Sequence, residues 1–167
     1  VSKAGQEYFN DTTGQKVFVC DPDLHYGPFH NGLAYIWNKN QKFGFVNRLG
    51  QVIIPCICDR VSDFSEGLAF AIVNGQDCFI DTNGQKVFDC DPNFDYGKFH
   101  NGLAVIVYKN NRWGYIDKSG QVIIPCVYDY ALNFSEGLAH VWLGDEEYFI
   151  DTTGQKVFVC DPDLHYG

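Results

Sequence analysis

The sequence contains no methionine, few prolines and no long apolar run. Proline accounts for 6 of the 167 residues, and methionine is absent even at position 1. We therefore expect a processed form, a fragment or an edited version of a primary translation product. The apolar runs are only a few residues long, so no membrane span is expected. No basic segment followed by an apolar one resembles a signal peptide.

Positive charge and helical periodicity are also scarce. Lys and Arg number 12 against 21 Asp and Glu, which gives a formal net charge of -9 at pH 7. Because an acidic surface repels phosphate backbones, nucleic-acid binding is not expected. No segment keeps a helical spacing of apolar residues for more than a few positions. The 16% aromatic content and 17 glycines instead favour an all-β protein of short strands and tight turns.

A six-residue motif, Phe-x-x-Gly-Leu-Ala, recurs at intervals of 35 residues. It begins at Phe29, Phe64, Phe99 and Phe134. A fixed period of this length indicates a tandem repeat. Residues 29–63 match 99–133 at 18 of 35 positions, and 64–97 match 134–167 at 20 of 34. Two repeat types therefore alternate, and the translational unit is about 70 residues.

The repeats define one predicted domain over residues 1–167. Residues 8–27 match 148–167 at 19 of 20 positions, so the first segment is an incomplete copy of the second repeat type. The predicted organisation is a partial repeat at 1–28 followed by full repeats at 29–63, 64–98, 99–133 and 134–167.

Each repeat is predicted to be a meander of three short strands. In the third full repeat these are 103–108, 113–117 and 121–126, with Gly120 free to adopt positive φ in the last hairpin turn. Pro125 cannot donate to a ladder, so the last strand is expected to lie at a sheet edge or to end there. We expect these meanders to stack as an open, solenoid-like array, with a closed, propeller-like ring as the alternative.

The opening motif is expected to form the core between neighbouring repeats. Its Phe and its Leu-Ala pair supply the apolar side chains, and its glycine is expected to allow close backbone approach. The four glycines concerned are Gly32, Gly67, Gly102 and Gly137.

Three motifs in one repeat point to a known family. They are Phe-x-x-Gly-Leu-Ala at 99–104, Arg-Trp-Gly-Tyr-Ile-Asp-x-x-Gly at 112–120 and Val-Ile-Ile-Pro at 122–125. This pattern resembles the WG-repeat (KWG-repeat) family. Residues 42–46 keep it as Lys-Phe-Gly-Phe-Val, whereas the second repeat type replaces the Trp-Gly pair. The resemblance implies tandem β repeats, generally without catalytic residues.

Five of the seven cysteines occupy the same place in successive repeats. They are Cys20, Cys56, Cys90, Cys126 and Cys160. These are either small apolar core residues or disulfide partners of a neighbouring repeat or chain.

The other two cysteines, Cys58 and Cys78, change together, because Tyr128 and Tyr148 replace both in the other 70-residue unit. This suggests a spatial contact and a possible Cys58–Cys78 disulfide, worth roughly 3 kcal/mol. Such a bond would indicate an extracellular or cell-surface location, and the alternative is a cytoplasmic location. No zinc site is expected, because the Cys-x-Cys pair at 56–58 has no second pair at ligand spacing.

Weaker site candidates lie in the turns. Asp91, Asn93 and Asp95 alternate like the first ligands of a Ca²⁺ loop, but no Glu follows at the twelfth position, so an Asp-Pro turn is the simpler interpretation. Asn10 and Asn133 fit the N-glycosylation sequon.

No catalytic constellation is evident, so neither enzyme activity nor a cofactor is expected. His140 lies on a predicted strand, and no nucleophile elbow or phosphate loop is present. Our first hypothesis is a structural repeat protein that self-assembles head to tail into a filament. The alternative is a monomeric module that presents aromatic side chains to a protein or glycan ligand. The candidates for that role are Tyr35, Trp37, Tyr108 and Trp142.

Overall fold

The computed structural model describes residues 6–161, which form strands and turns. In chain order the strands are β1 (Tyr8–Asn10), β2 (Lys16–Val19), β3 (Leu24–His30), β4 (Leu33–Asn38), β5 (Phe43–Asn47), β6 (Val52–Cys58), β7 (Arg60–Val61), β8 (Leu68–Val73), β9 (Gln76–Asp81), β10 (Lys86–Asp89), β11 (Phe94–His100), β12 (Leu103–Tyr108), β13 (Arg112–Asp117), β14 (Val122–Tyr128), β15 (Tyr130–Ala131), β16 (Leu138–Leu143), β17 (Glu146–Asp151) and β18 (Lys156–Val159). Over these residues there is no helix able to cross a membrane.

The strands form one two-stranded hairpin and four four-stranded sheets. The N-terminal hairpin is β1–β2, and the first, second, third and fourth sheets are β3–β6, β7–β10, β11–β14 and β15–β18. Within every sheet, strands that are adjacent in space are also consecutive in sequence. No sheet of the described chain closes into a barrel. The predicted all-β tandem-repeat fold is therefore confirmed.

Each sheet has one strand more than the predicted three. In the second and fourth sheets this strand precedes the opening motif, and in the first and third sheets it ends on the second residue of the motif. In the third sheet β11 pairs with β12, and His100 lies opposite Leu103. Between them Asn101 and Gly102 have φ angles of 52° and 83°. Two consecutive residues with positive φ make the tight turn that suits a two-residue hairpin. The motif therefore contains a hairpin turn that joins the added strand to the predicted meander.

The motif glycine serves this turn, and the expected close backbone approach is wrong. A Cβ on Gly102 would meet no atom within 4 Å. The same open space surrounds Gly32, Gly67 and Gly137. Glycine is needed at these positions because their φ angles are positive, a conformation that residues with a Cβ adopt at a cost.

The chain divides after Val87 into two compact units, and each has a core between two of its sheets. Phe64 of one opening motif packs edge-on against Phe45, with ring centroids 4.8 Å apart. Phe134 makes the equivalent contact with Tyr115, also at 4.8 Å. The motif phenylalanines Phe64 and Phe134 thus join neighbouring sheets within their units, as predicted.

The glycine of the Trp-Gly pair accommodates a distorted edge strand. The register of β13 with β14 shifts between Trp113 and Tyr115. A Cβ on Gly114 would lie 2.5 Å from the Ile124 carbonyl oxygen and 2.8 Å from the Cys126 nitrogen. Gly44 of the first sheet has the same surroundings, with the nearest carbonyl oxygen at 2.3 Å. The backbone of the proline-containing edge strand therefore requires glycine opposite it.

We expect Gly114→Ala to lower the free energy of unfolding by about 2–3 kcal/mol, because the added methyl group collides with backbone atoms that cannot rotate away. Gly97→Ala is the matched control, since a Cβ there would lie 3.3 Å from its nearest atom, the Val105 carbonyl oxygen. Urea unfolding of both variants measures the difference. Equal losses would contradict the assigned role of Gly114.

Candidate functional site

The N-terminal hairpin packs onto the first sheet through aromatic rings. Phe9 and Phe18 stack with centroids 5.0 Å apart. Phe9 also meets Phe29 edge-on at 5.3 Å, and Phe18 lies 6.1 Å from Tyr26. A Cβ on Gly50 would lie 2.5 Å from the Phe18 ring, so the ring rests directly on this turn. The hairpin is therefore held by one aromatic side chain from each of its strands.

The contact of Phe18 with Gly50 recurs 70 residues later. A third phenylalanine occupies the equivalent position in the sequence. Phe88 lies on Gly120 in the same way, with a built Cβ 2.6 Å from the ring. The third equivalent is Phe158 on β18, whose side chain is 41% exposed. Its neighbours Val157 and Val159 are 51% and 58% exposed. Strand β18 thus presents an apolar surface with the same sequence, Lys-Val-Phe-Val, as β2.

A cleft of ≈ 540 Å³ lies where the hairpin meets the first sheet. Its lining residues are Glu7, Tyr8, Phe9, Cys20, Leu24, His25, Tyr26 and Trp37. The Trp37 ring stacks on His25 at 5.1 Å, with 23° between the planes. A flat aromatic surface beside a carboxylate is the kind of surface that binds sugars and planar groups.

The four aromatic residues predicted to face a ligand lie on three different sheets. Tyr35 and Trp37 are together, with ring centroids 5.9 Å apart. Tyr35 also covers the Gly27 backbone, where a Cβ would lie 2.4 Å from its ring, so it serves packing. In the third sheet Tyr108 packs on Phe94 at 5.2 Å. In the fourth, Trp142 packs 5.4 Å from Tyr130. Of the four, Trp37 lines the cleft.

None of the seven cysteines, all of which lie in the described residues, is in a disulfide, so the predicted Cys58–Cys78 bond is not formed in this structure. Both side chains belong to the core between the first and second sheets. The Cys78 thiol donates a hydrogen bond to the Ala71 carbonyl at 3.6 Å, and burial raises the pKa of Cys58. The equivalent Tyr128 and Tyr148 rings meet edge-on at 6.3 Å. The cysteines therefore act as small apolar residues where the other unit packs two tyrosines.

The five repeated cysteines are partly or fully shielded from solvent. Cys160 is buried, and the other four have intermediate exposure. Burial raises the pKa of the Cys20, Cys56 and Cys126 thiols. Because the thiolate is the nucleophilic form of cysteine, a raised pKa lowers the nucleophilicity of these three thiols at neutral pH.

The Asp91 carboxylate holds the local turn. It accepts hydrogen bonds from the Asn93 backbone N–H and from the Asn93 side-chain amide, both at 2.8 Å. The Asp91 N–H donates to the Tyr96 hydroxyl at 2.9 Å. Asp95 follows on β11. This is the hydrogen bonding of an Asp-Pro turn, in which Asp91 supplies the acceptor.

The two sequon asparagines are exposed. Asn10 ends β1, and Asn133 lies between β15 and β16. Phe134, the residue after Asn133, is 3% exposed and belongs to the core of its unit. Glycan attachment at Asn133 would therefore leave little freedom for the chain beside it.

A cluster of metal-ligating side chains was missed by the sequence reasoning. In the described part of the chain, His140, Glu147 and Cys160 bring one ligand atom each to within 4.8 Å of the others. The available signal was a break in the repeat, because the residue 70 positions before His140 is Phe70. A histidine that replaces a half-buried phenylalanine distinguishes the fourth sheet.

Comparison with solved structures shows similarity to β-repeat architecture at low sequence identity. The chain resembles the computationally designed Ika8 protein with a TM-score of 0.51 and 16% identity, covering 89% of this chain and 53% of that one. Against BamB from Moraxella catarrhalis the TM-score is 0.49 and the identity 14%, covering 90% and 57%. The chain spans about half the length of these two proteins. The likeness to Ika8 concerns the fold alone.

Sequence comparison identifies the family. No curated protein matches the chain. The WG containing repeat family matches residues 43–76, 79–113 and 113–141, which is more than half of the sequence. These segments include Phe43-Gly44 and Trp113-Gly114, the positions where a bulged edge strand requires glycine. The chain belongs to the WG-repeat family.

Proposed function

We propose that this protein is a non-catalytic scaffold that assembles head to tail. In the assembly the fourth sheet of one copy replaces the N-terminal hairpin on the first sheet of the next copy. Membership of a tandem-repeat family supports the scaffold. The observation that carries the assembly is the repeated docking element. Strand β2 is seated on the first sheet through Phe18, and β18 has the same sequence with Phe158 exposed.

The exchange is favourable because the hairpin is the weaker of the two docking elements. A two-stranded hairpin is only marginally stable by itself, and β1 pairs with β2 alone among the described strands. The fourth sheet has four strands and shares a buried core with the third sheet. Replacing Phe18 by Phe158 on Gly50 keeps the same ring contact while it adds strands to the interface. Exchange of equivalent elements is a low-cost route to association.

The geometry of this exchange leads to a filament. Each copy uses one surface to donate, on β18, and a different surface to accept, on the first sheet. A contact of this heterologous kind continues from copy to copy unless the rotation between copies closes the assembly into a ring.

The net charge of -9 opposes association, and salt screens that repulsion. Assembly should therefore grow with ionic strength.

Substitution of the two equivalent rings tests the exchange. Phe18→Asp weakens the hairpin's own docking and opens the first sheet, so we expect at least as much assembly as in the unmodified protein. Phe158→Asp places a charge on the donor surface, so we expect monomers at concentrations where the unmodified protein assembles. Size-exclusion chromatography with light scattering, followed by electron microscopy with and without reductant, measures both.

Val127→Asp is the matched control, since Val127 is an apolar side chain on β14 with 47% exposure. It should leave assembly unchanged. Filaments should also persist under reduction, because none of the cysteines, all in the described residues, is in a disulfide. If every variant and the unmodified protein remain monomeric at all concentrations, the exchange is wrong.

A second candidate function is glycan binding at the cleft, favoured by the stacked His25 and Trp37 rings and by Glu7 beside them. The aromatic pair offers a flat apolar face, and the carboxylate can accept hydrogen bonds from sugar hydroxyls. This function needs no second copy of the chain.

Trp37→Ala tests this candidate. For any sugar found on a glycan array, we expect a loss of affinity of about fivefold or more, since ring stacking contributes about 1 kcal/mol or more. Tyr108→Ala, which removes an aromatic side chain of the third sheet, should have no effect in the same calorimetric titration. An equal loss in both variants would place the ligand elsewhere.

A further inference from the structure

Three strands of the fourth sheet bring the missed cluster together. His140 lies on β16 and Glu147 on β17, while Cys160 follows β18. The Cys160 N–H donates to the Glu147 carbonyl at 2.9 Å, so these two residues are adjacent across the sheet. His140 pairs with Phe149, two positions beyond Glu147. The antiparallel register therefore places all three side chains on one small area of the sheet.

The ligand atoms converge on one ring nitrogen. His140 Nε2 lies 2.7 Å from Glu147 Oε1 and 3.4 Å from Cys160 Sγ. His140 and Cys160 are buried, with 6% and 8% exposure, and Glu147 is half-buried. His140 Nε2 can carry only one proton, so it cannot donate strong hydrogen bonds to both Glu147 and Cys160. An imidazole nitrogen, a carboxylate oxygen and a thiolate sulfur can all be satisfied at once by a shared cation.

We propose that His140, Glu147 and Cys160 form a binding site for a borderline divalent cation, with Zn²⁺ as the preferred ion. Nitrogen, sulfur and oxygen donors in this combination are typical of zinc sites with three protein ligands and one open position. Tetrahedral zinc requires ligand atoms about 3.3–3.6 Å apart. The nitrogen-to-sulfur distance already has this value, and the nitrogen-to-oxygen distance reaches it by a small movement of the half-buried Glu147.

Aromatic side chains hold the histidine in place for this role. The His140 ring stacks on Phe149 at 4.5 Å with an interplanar angle of 8°. Trp142 lies 4.0 Å from the same ring. A ligand whose ring is fixed in advance loses little freedom when it binds. Trp142 also supplies a spectroscopic reporter next to the site.

The site is specific to the fourth sheet. The residues 70 positions earlier are Phe70, Asp77 and Cys90, so the sister repeat keeps the cysteine and an acid but has no histidine. The cysteine alone is part of the repeat, whereas the complete ligand set occurs once in the described chain. The two 70-residue units therefore differ in chemistry, and the site does not depend on the proposed assembly.

The full-length protein, reduced with a phosphine that does not compete for the metal, is titrated with ZnCl₂ in a calorimeter. We expect one Zn²⁺ per chain. Titration with Co²⁺ should give a thiolate-to-metal charge-transfer band and quench tryptophan fluorescence. His140→Phe introduces the sister-repeat residue and should weaken the binding of both ions by about 100-fold or more. Cys160→Ser should also abolish the charge-transfer band.

Cys90→Ser is the matched control and should bind both ions like the unmodified protein. Thermal unfolding without metal establishes that each variant is folded. If His140→Phe does not fold, Glu147→Gln, at a half-buried position, provides the same comparison. Unchanged binding in the ligand variants, or no saturable binding of either ion, would overturn the proposal and leave a hydrogen-bonded core histidine. An equal loss in Cys90→Ser would do the same.

Discussion

Edge-on contact between two aromatic rings is the interaction on which each unit depends. Phe64 against Phe45 and Phe134 against Tyr115 connect one sheet to the next. Tyr115 is fully buried and donates from its hydroxyl to the Leu132 carbonyl at 2.7 Å, and burial raises its pKa above the ordinary tyrosine value. Small sheets cannot bury an apolar face alone. Without these rings, the four-stranded sheets would lose the surface that makes them stable.

Much of the fold was predictable from the sequence because the repeat period fixes where strands can lie. The strand at 103–108 has the predicted bounds, and Gly120 has positive φ in its predicted turn. Pro125 does lie on an edge strand, but β14 continues to Tyr128 because an edge proline removes no ladder bond. Strand β11 was missed because its Gly and Lys interrupt the apolar alternation on which strand prediction rests.

The sites were less predictable from the sequence because they depend on which residues pair across neighbouring strands and on the volume of the side chains that meet there. His140, Glu147 and Cys160 are spread over twenty residues, and only the pairing of three strands brings their ligand atoms together. The paired change from cysteines to tyrosines marked positions in neighbouring sheets, but it could not distinguish a disulfide from close packing.

In the fourth sheet, Phe158 stacks on Phe149, which stacks on His140. The apolar surface of β18 and the ligand cluster thus share one continuous stack of rings.

The order of the strands has a consequence for how the protein is made. In every four-stranded sheet the strands pair only with their neighbours in sequence. Such local pairing gives a low contact order, and chains of this kind fold quickly for β proteins. Each unit of two sheets can form as soon as its own stretch of chain leaves the ribosome, without waiting for residues that are made later. The polypeptide can therefore fold vectorially during synthesis, one unit at a time.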